Sequence, residues 1–473
     1  MYVDSLLRLV PLRHTSRKLM LKQTSCATLR RRSLATGSAT SYQASFTASD
    51  STSTSPYVHS NMCIHRCDRF ILQSQSFLSD YERGINLSAR IIHLCDAELE
   101  AEKRKIEEEF SRTPTCANSE SFVETQIHNF RENILSQVFT ENKTINEITQ
   151  FILGAKSKLF RPKLGFMVAK VLSEYLLRVK APGVYGKPPV DGGRIREYGL
   201  YAGEDVMKRV TRLLQSYEIV HAGSLIHDDI VDDAETRRNQ PAVHLKMGTK
   251  ISVLVGDLML TRACSTVANL GSQQSTVRMA KALENLIKGE LLDVKSSMGV
   301  DEMLKVYLQK IFLKTASLIA ECCASIADLF GLDSSMCHNC YMIGLHVGMA
   351  FQIYDDLLDY RSHSSSLGKP ALNDISSGLI TLPLIFALPE SEELGTMLKK
   401  GDITKENIEQ IMASVRESKS FERSQFAVML HLSELSKLLK KMGATEVAGE
   451  SALTALSQLL LRFVYDTLTR TKG

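Results

Sequence analysis

Six aspartates in two sets are the residues of this sequence best placed to do chemistry. Asp228, Asp229 and Asp232 stand in "HDDIVDDAETRR", and Asp355, Asp356 and Asp359 in "FQIYDDLLDY". In a helix Asp228 and Asp232 fall one turn apart on one face, and so do Asp355 and Asp359. Each set follows an apolar helical run, which predicts carboxylates projecting from a buried helix body into a cavity. Unpaired acids in such a place would cost roughly several kcal/mol each without a compensating cation. Oxygen donors with no histidine or cysteine among them suit magnesium, which keeps waters of its own and bridges to phosphate. One acidic motif alone is more often a solvated helix face; two, each after an apolar helix, are much harder to explain that way.

The cations complete the pattern. Arg237 and Arg238 follow the first set, "KLFRP" supplies Lys158 and Arg161, Lys314 sits beside Thr315 in "LKTAS", and Lys369 lies in "GKP" beyond the second set. Singly, each reads as a surface charge. With two carboxylate sets they describe a cavity for two polyphosphate groups, one held through metal and one by guanidinium and ammonium groups.

In this order the motifs resemble those of trans-type polyprenyl diphosphate synthases, in particular the long-chain group of solanesyl and decaprenyl type that makes ubiquinone side chains. The resemblance rests on both acidic motifs with "KLFRP", "VLVGDLMLTRA", "KGELLDV", "KTASLIAECC" and "LGKPALNDISSGLITLPLIFAL", and covers roughly Ile145 to Leu388. It implies the isoprenoid synthase fold, an all-α bundle around a central active-site cavity. It also implies that Asp228, Asp229, Asp232, Asp355, Asp356 and Asp359 hold Mg2+ on an allylic diphosphate, farnesyl or geranylgeranyl diphosphate. Arg237 would contact that diphosphate, while Lys158, Arg161, His221 and Arg238 would form the isopentenyl diphosphate pocket. Lys314, Thr315, Gln352 and Lys369 would line the allylic site and its leaving group. His221 lies seven residues before Asp228, two turns up the same side.

Four, five and eight residues before Asp228 come Ser224, Gly223 and Val220, none of them aromatic. They are expected to line the path of a growing product without plugging it, although Gly223 and Ser224 also read as permitting close helix packing. The resemblance further implies a homodimer or a heteromer, and a non-catalytic partner subunit of a mixed synthase is the alternative reading. Asn239 and Gln240 stand where the family usually turns on glycine, Lys288 where glutamine is commoner, and Leu159 and Leu379 where shorter-chain members often carry a base.

The elements that must position these residues are helical. From Phe122 onward apolar residues recur at three- and four-residue spacing almost continuously, and strand-like alternation is scarce. The expected organisation is a transit peptide over 1–55, an extension over 56–120 and one all-α domain over 121–473, with a Pro/Gly-rich insertion from Val179 to Gly199. "DAELEAEKRKIEEEF" in the extension reads as a solvated helix. Ser5 to Ser49 carries base and no acid, the composition of a mitochondrial presequence, with a plastid as the alternative. A content of 44% hydrophobic and 23% charged residues is that of a globular protein, and a net charge of +4 is too mild to point to nucleic acid. No apolar run is expected to span a membrane, leaving at most peripheral association. Ten scattered cysteines do not make a disulfide framework, and "CIHRC" and "CHNC" read as incidental or buried thiols rather than metal sites.

Overall fold

The computed structural model describes residues 91, 94–111, 117–155, 157–179, 204–237, 240–361, 378–400 and 407–443. Arg238, Lys369, Cys63, Cys67, the basic N-terminal segment and the insertion beyond Val179 lie outside them.

Among the described residues the fold is all-α apart from one hairpin. In chain order the helices are α1 (Asp96–Ser111), α2 (Ala117–Asn133), α3 (Lys143–Leu153), α4 (Phe160–Val179) and α5 (Glu204–Val231). The hairpin pairs β1 (Thr236–Arg237) antiparallel with β2 (Gln240–Pro241), matching Arg237 with Gln240. Then come α6 (Val243–Met247), α7 (Thr249–Ala268), α8 (Gln273–Glu290) and α9 (Val300–Ile311). A π-helical turn, Phe312–Ala316, leads into α10 (Ser317–Leu329) and α11 (Ser334–Arg361). The last four are α12 (Leu382–Ala387), α13 (Glu392–Lys400), α14 (Ile408–Glu417) and α15 (Ser420–Gly443). Local chemistry sets several boundaries. The Asn142 side chain accepts from the Ile145 amide at 3.2 Å to cap α3, and Ser272 does the same for Ser275 at 3.1 Å to cap α8. Gly248, at φ 83°, makes the corner between α6 and α7, a conformation glycine adopts without cost.

At the centre is α10, "SLIAECCASIADL", in which every residue except Asp328 is buried. It packs against α4, α5, α8 and α11. Small residues let α11 approach closely: a Cβ on Gly344 would lie 2.6 Å from the Ala320 Cα, and one on Gly348 would lie 2.5 Å from the Ala316 Cα. We therefore expect Gly348→Ala to push α11 off the π-helical turn and to destabilise the fold by about 1–3 kcal/mol, the usual effect of overpacking. A urea unfolding midpoint equal to wild type would contradict this packing.

Several polar groups inside the bundle meet one another. Arg278 on α8 meets Glu321 at 3.2 Å and Asp328 at 2.6 Å, and Cys337 of "CHNC" places its thiol 3.1 Å from the other Asp328 oxygen. Cys337 and Cys340 are both buried. His346 on α11 and His431 on α15 approach Nδ1 to Nδ1 at 3.1 Å, and burial holds both imidazoles below their ordinary pKa.

Two expectations need correction. The helix in "DAELEAEKRKIEEEF" is not merely solvated: Leu99 and Ile106, two turns apart on one side, are buried in the core, and α1 packs against α15. Nor is the sequence without a helix apolar enough to span a membrane, because α7 meets that criterion by length and composition. Its Val255, Met259, Ala263 and Val267 are buried and it packs along α5, while Ile251, Val253 and Leu254 stay exposed.

Candidate active site

The first acidic set closes α5. Asp228 and Asp229 occupy its last turn, and Asp232 follows as the chain turns away with Asp233 in the left-handed region at φ 49°. That turn feeds the hairpin, which brings Arg237 back over the set. Its Nε donates to the Asp229 Oδ1 at 2.8 Å and its Nη2 donates to the same oxygen. Asp229 is only 3% exposed, so this pairing neutralises an otherwise costly buried charge.

Lys314 comes from the π-helical turn. Its Nζ lies 2.5 Å from Glu290 at the end of α8 and 3.7 Å from Asp228. Backbone proximity explains the contact, because a Cβ on Gly289 would lie 2.8 Å from the Lys314 amide nitrogen. Burial pushes the Asp228 carboxyl up to about 6 against the pull of Lys314, with Glu290 and Asp232 adding to the rise. Burial works against charge on Lys314 too, but Asp228, Glu290 and Asp232 together outweigh it and raise its pKa.

The next residue reaches the second set. Thr315 Oγ1 is 2.7 Å from Gln352 Oε1, to which it donates, and Gln352 Nε2 donates to Asp356 Oδ1 at 2.7 Å. Tyr307 on α9 donates its hydroxyl to the other oxygen, Asp356 Oδ2, at 2.6 Å. Asp355 is exposed and Asp359 half-buried on the same stretch of α11. The "KLFRP" segment joins here as well: Phe160 stacks on Phe351 with ring centroids 4.8 Å apart, and Arg161 follows in the first turn of α4. Leu159, between Lys158 and Phe160, takes φ 48°, a strained conformation for a leucine of the kind that gathers at functional sites.

Of the residues singled out from the sequence, Asp228, Asp229, Arg237, Lys314, Thr315, Gln352 and Asp356 are thus brought together through contacts. Lys158 is exposed at the entry to α4, and His221 lies on α5 with its carbonyl accepting from Ser224 Oγ at 3.0 Å. Val220 is fully buried. The missing Cβ of Gly223 points at α7, 3.3 Å from Leu260 Cδ2 and 3.4 Å from the Gly256 carbonyl, in keeping with the close-packing reading of this glycine. Close packing of α5 on α7 therefore accounts for that glycine. Lys288 points outward to Glu284. Glu290 and Tyr307 were not anticipated, although Tyr307 precedes Lys314 by seven residues, the same two-turn spacing that singled out His221.

Residues 142–415 match the polyprenyl synthetase family. The chain belongs to that family. Among its relatives, "Solanesyl-diphosphate synthase 1, mitochondrial" of Oryza sativa subsp. japonica is 32% identical over 322 residues, 68% of this chain and 71% of the relative. "Decaprenyl-diphosphate synthase subunit 1" of Schizosaccharomyces pombe is 30% identical over 290 residues, 60% of this chain and 75% of the relative. The same fold is found in a polyprenyl synthase from Caulobacter crescentus, crystallised with calcium and isoprenyl diphosphate. It has a TM-score of 0.59 at 23% identity and covers 74% of this chain and 98% of that one.

The donor set fits a hard divalent ion. Among the described residues no three acid, histidine or cysteine side chains form a closed ligand cage. Magnesium does not need one, since it takes one or two carboxylates and fills its shell with water and phosphate oxygens. Arg237 and Lys314 already supply positive charge to Asp229 and Asp228, so the carboxylates are arranged around cations.

Proposed function

We propose that the chain is a Mg2+-dependent prenyltransferase that condenses isopentenyl diphosphate with farnesyl or geranylgeranyl diphosphate, giving a long-chain all-trans polyprenyl diphosphate for a ubiquinone side chain. The observation that carries this reading is the bridge through the π-helical turn, which links Asp228 on α5 to Asp356 on α11 by way of Lys314, Thr315 and Gln352. An acidic helix end on α5 that faces Lys314, with the second acidic set tied to the same turn through Thr315 and Gln352, suits a departing diphosphate.

When bound, magnesium would neutralise the charge that grows on the leaving diphosphate; Asp228 and Asp232 on one side and Asp355 and Asp359 on the other would hold it. Lys314 and Arg237 add fixed positive charge toward the same oxygens. Lys158, Arg161, His221 and Arg238 orient isopentenyl diphosphate so that its double bond lies against the allylic carbon. Lys369 belongs with the leaving-group cations. The apolar helix bodies exclude water that would quench the cation. The product tail runs along α5 past Ser224 and Val220. Ser224→Phe is therefore expected to shorten the product, read by chromatography of the dephosphorylated chains; an unchanged length distribution would refute this path.

A second subunit, identical or not, is proposed to cover the apolar face of α7 and the end of α8, where Leu254, Ile287 and Leu291 are 56%, 65% and 81% exposed. The acid-free segment from Ser5 to Ser49 supports import into mitochondria. Purified protein incubated with radiolabelled isopentenyl diphosphate, farnesyl diphosphate and Mg2+ is expected to form a long linear product. Turnover only after a second, different chain is added would replace this reading with that of a partner subunit.

A further inference from the structure

Asp355 and Asp356 are neighbours with opposite surroundings. Asp355 is exposed, whereas Asp356 is 6% exposed and both of its oxygens accept hydrogen bonds from inside the protein, from Tyr307 and from Gln352. Those two donors belong to one device. Gln352 and Asp356 are one turn apart on α11, and their partners Thr315 and Tyr307 lie on either side of Lys314 in the segment running from α9 through the π-helical turn. The row Tyr307–Asp356–Gln352–Thr315 therefore staples that segment to α11 at two points, before and after the residues Phe312 to Lys314. Gly289 from α8 and Gly348 from α11 press on the same turn from two sides. Lys314 is left directed at Glu290 and Asp228. π-Turns within α-helices recur at functional sites, and their irregular hydrogen bonding must be supported by neighbours.

We propose that Tyr307 is a positioning residue for prenyl transfer and acts through Asp356. Together they hold the π-helical turn that aims Lys314, and Asp356 serves as the hub of this staple instead of a metal ligand. The inference rests on the function proposed above. Tyr307 is 2% exposed and its hydroxyl is held by a carboxylate on a neighbouring helix, so its part in the reaction is indirect.

Tyr307→Phe removes one O–H and leaves the ring in place. We expect kcat to fall about 10- to 100-fold through misplacement of Lys314, with KM for both diphosphates and the half-saturating Mg2+ concentration within about twofold of wild type. Asp356→Asn, whose amide cannot accept from both donors, is expected to give the same pattern, and the double variant to be no slower than Asp356→Asn alone. Asp355→Asn is expected to behave differently, raising half-saturating Mg2+ about tenfold or more. A second readout needs no turnover: calorimetric binding of Mg2+ with inorganic diphosphate should be retained in Tyr307→Phe and Asp356→Asn and weakened in Asp355→Asn. Two results would overturn the inference, namely a kcat for Tyr307→Phe within twofold of wild type, or Asp356→Asn weakening calorimetric binding as much as Asp355→Asn. Thermal unfolding of Tyr307→Phe separates misplacement from misfolding; if that variant proved unfolded, Asp356→Asn would carry the test. Absence of turnover in the wild-type protein would defeat the function reading, while the calorimetric comparison would still decide the role of Asp356.

Discussion

Asp228→Asn is expected to slow condensation by about a thousandfold or more while raising the melting temperature of the metal-free protein. The first effect follows from losing an anionic ligand where charge separates, worth ~4 kcal/mol at the transition state. The second follows from burial, which raises the folded-state pKa of Asp228 from 3.8 to about 6. The stability tied to this group is complete below about pH 4 and is lost as pH rises through 6, because the unfolded chain releases its proton first. Near neutral pH the buried charge therefore costs about 1–3 kcal/mol, the upper figure being the full shift and the lower allowing for sharing with Lys314. Asparagine keeps the shape without the charge. Scanning calorimetry at pH 7.5 and pH 4.5 tests this directly: the variant should gain at the higher pH and lose most of that gain at the lower. Equal melting temperatures at pH 7.5 would remove the electrostatic account. For the wild type, half-saturating Mg2+ should rise as pH falls below about 6, since a proton then competes with the metal.

Lys314→Ala is expected to lower kcat roughly 100- to 1,000-fold, with smaller changes in KM, because its ammonium is aimed at charge that develops only as the diphosphate departs. Its removal also leaves Glu290 facing Asp228 without the cation between them. At neutral pH the folded state should lose about 1–3 kcal/mol as well, because Asp228, 18% exposed, is left without its partner. Steady-state kinetics alongside urea unfolding separates the two effects. A kcat within tenfold of wild type would mean that the lysine serves the resting electrostatics only.

The bundle and the acidic sets were legible in the sequence because period and charge are one-dimensional signals: the three- and four-residue spacing marks helices, and clustered aspartates stand out against it. What was not legible depends on closeness in space. Nothing in the sequence shows that Gly289 and Gly348 each mark where another backbone comes near. Tyr307 reads as an ordinary apolar-face residue until its hydroxyl is seen against Asp356. Counting back from Asp228 gives the height of Gly223 along α5 but not that its missing Cβ meets α7. "DAELEAEKRKIEEEF" shows only Leu99 and Ile106 as large aliphatic residues, too sparse a stripe to outweigh its charges. The "FLKTA" turn carries no composition of its own, so nothing in it separates a wide turn from the α-helices on either side.

That wide turn has a consequence for how the chain tolerates length changes. A π-turn accommodates one residue more than the α-turn it replaces. Deleting a single residue within 312–316 would let α9 and α10 fuse into one regular rod. Because the wide turn absorbs its surplus residue within itself, α9 and α10 would keep their angular phase, and only the side chains inside the turn would change direction. Tyr307, ahead of the cut, would still meet α11, but Lys314 and Thr315 could no longer both keep their partners. One surplus residue thus decides where two side chains point without altering the course of the helices on either side.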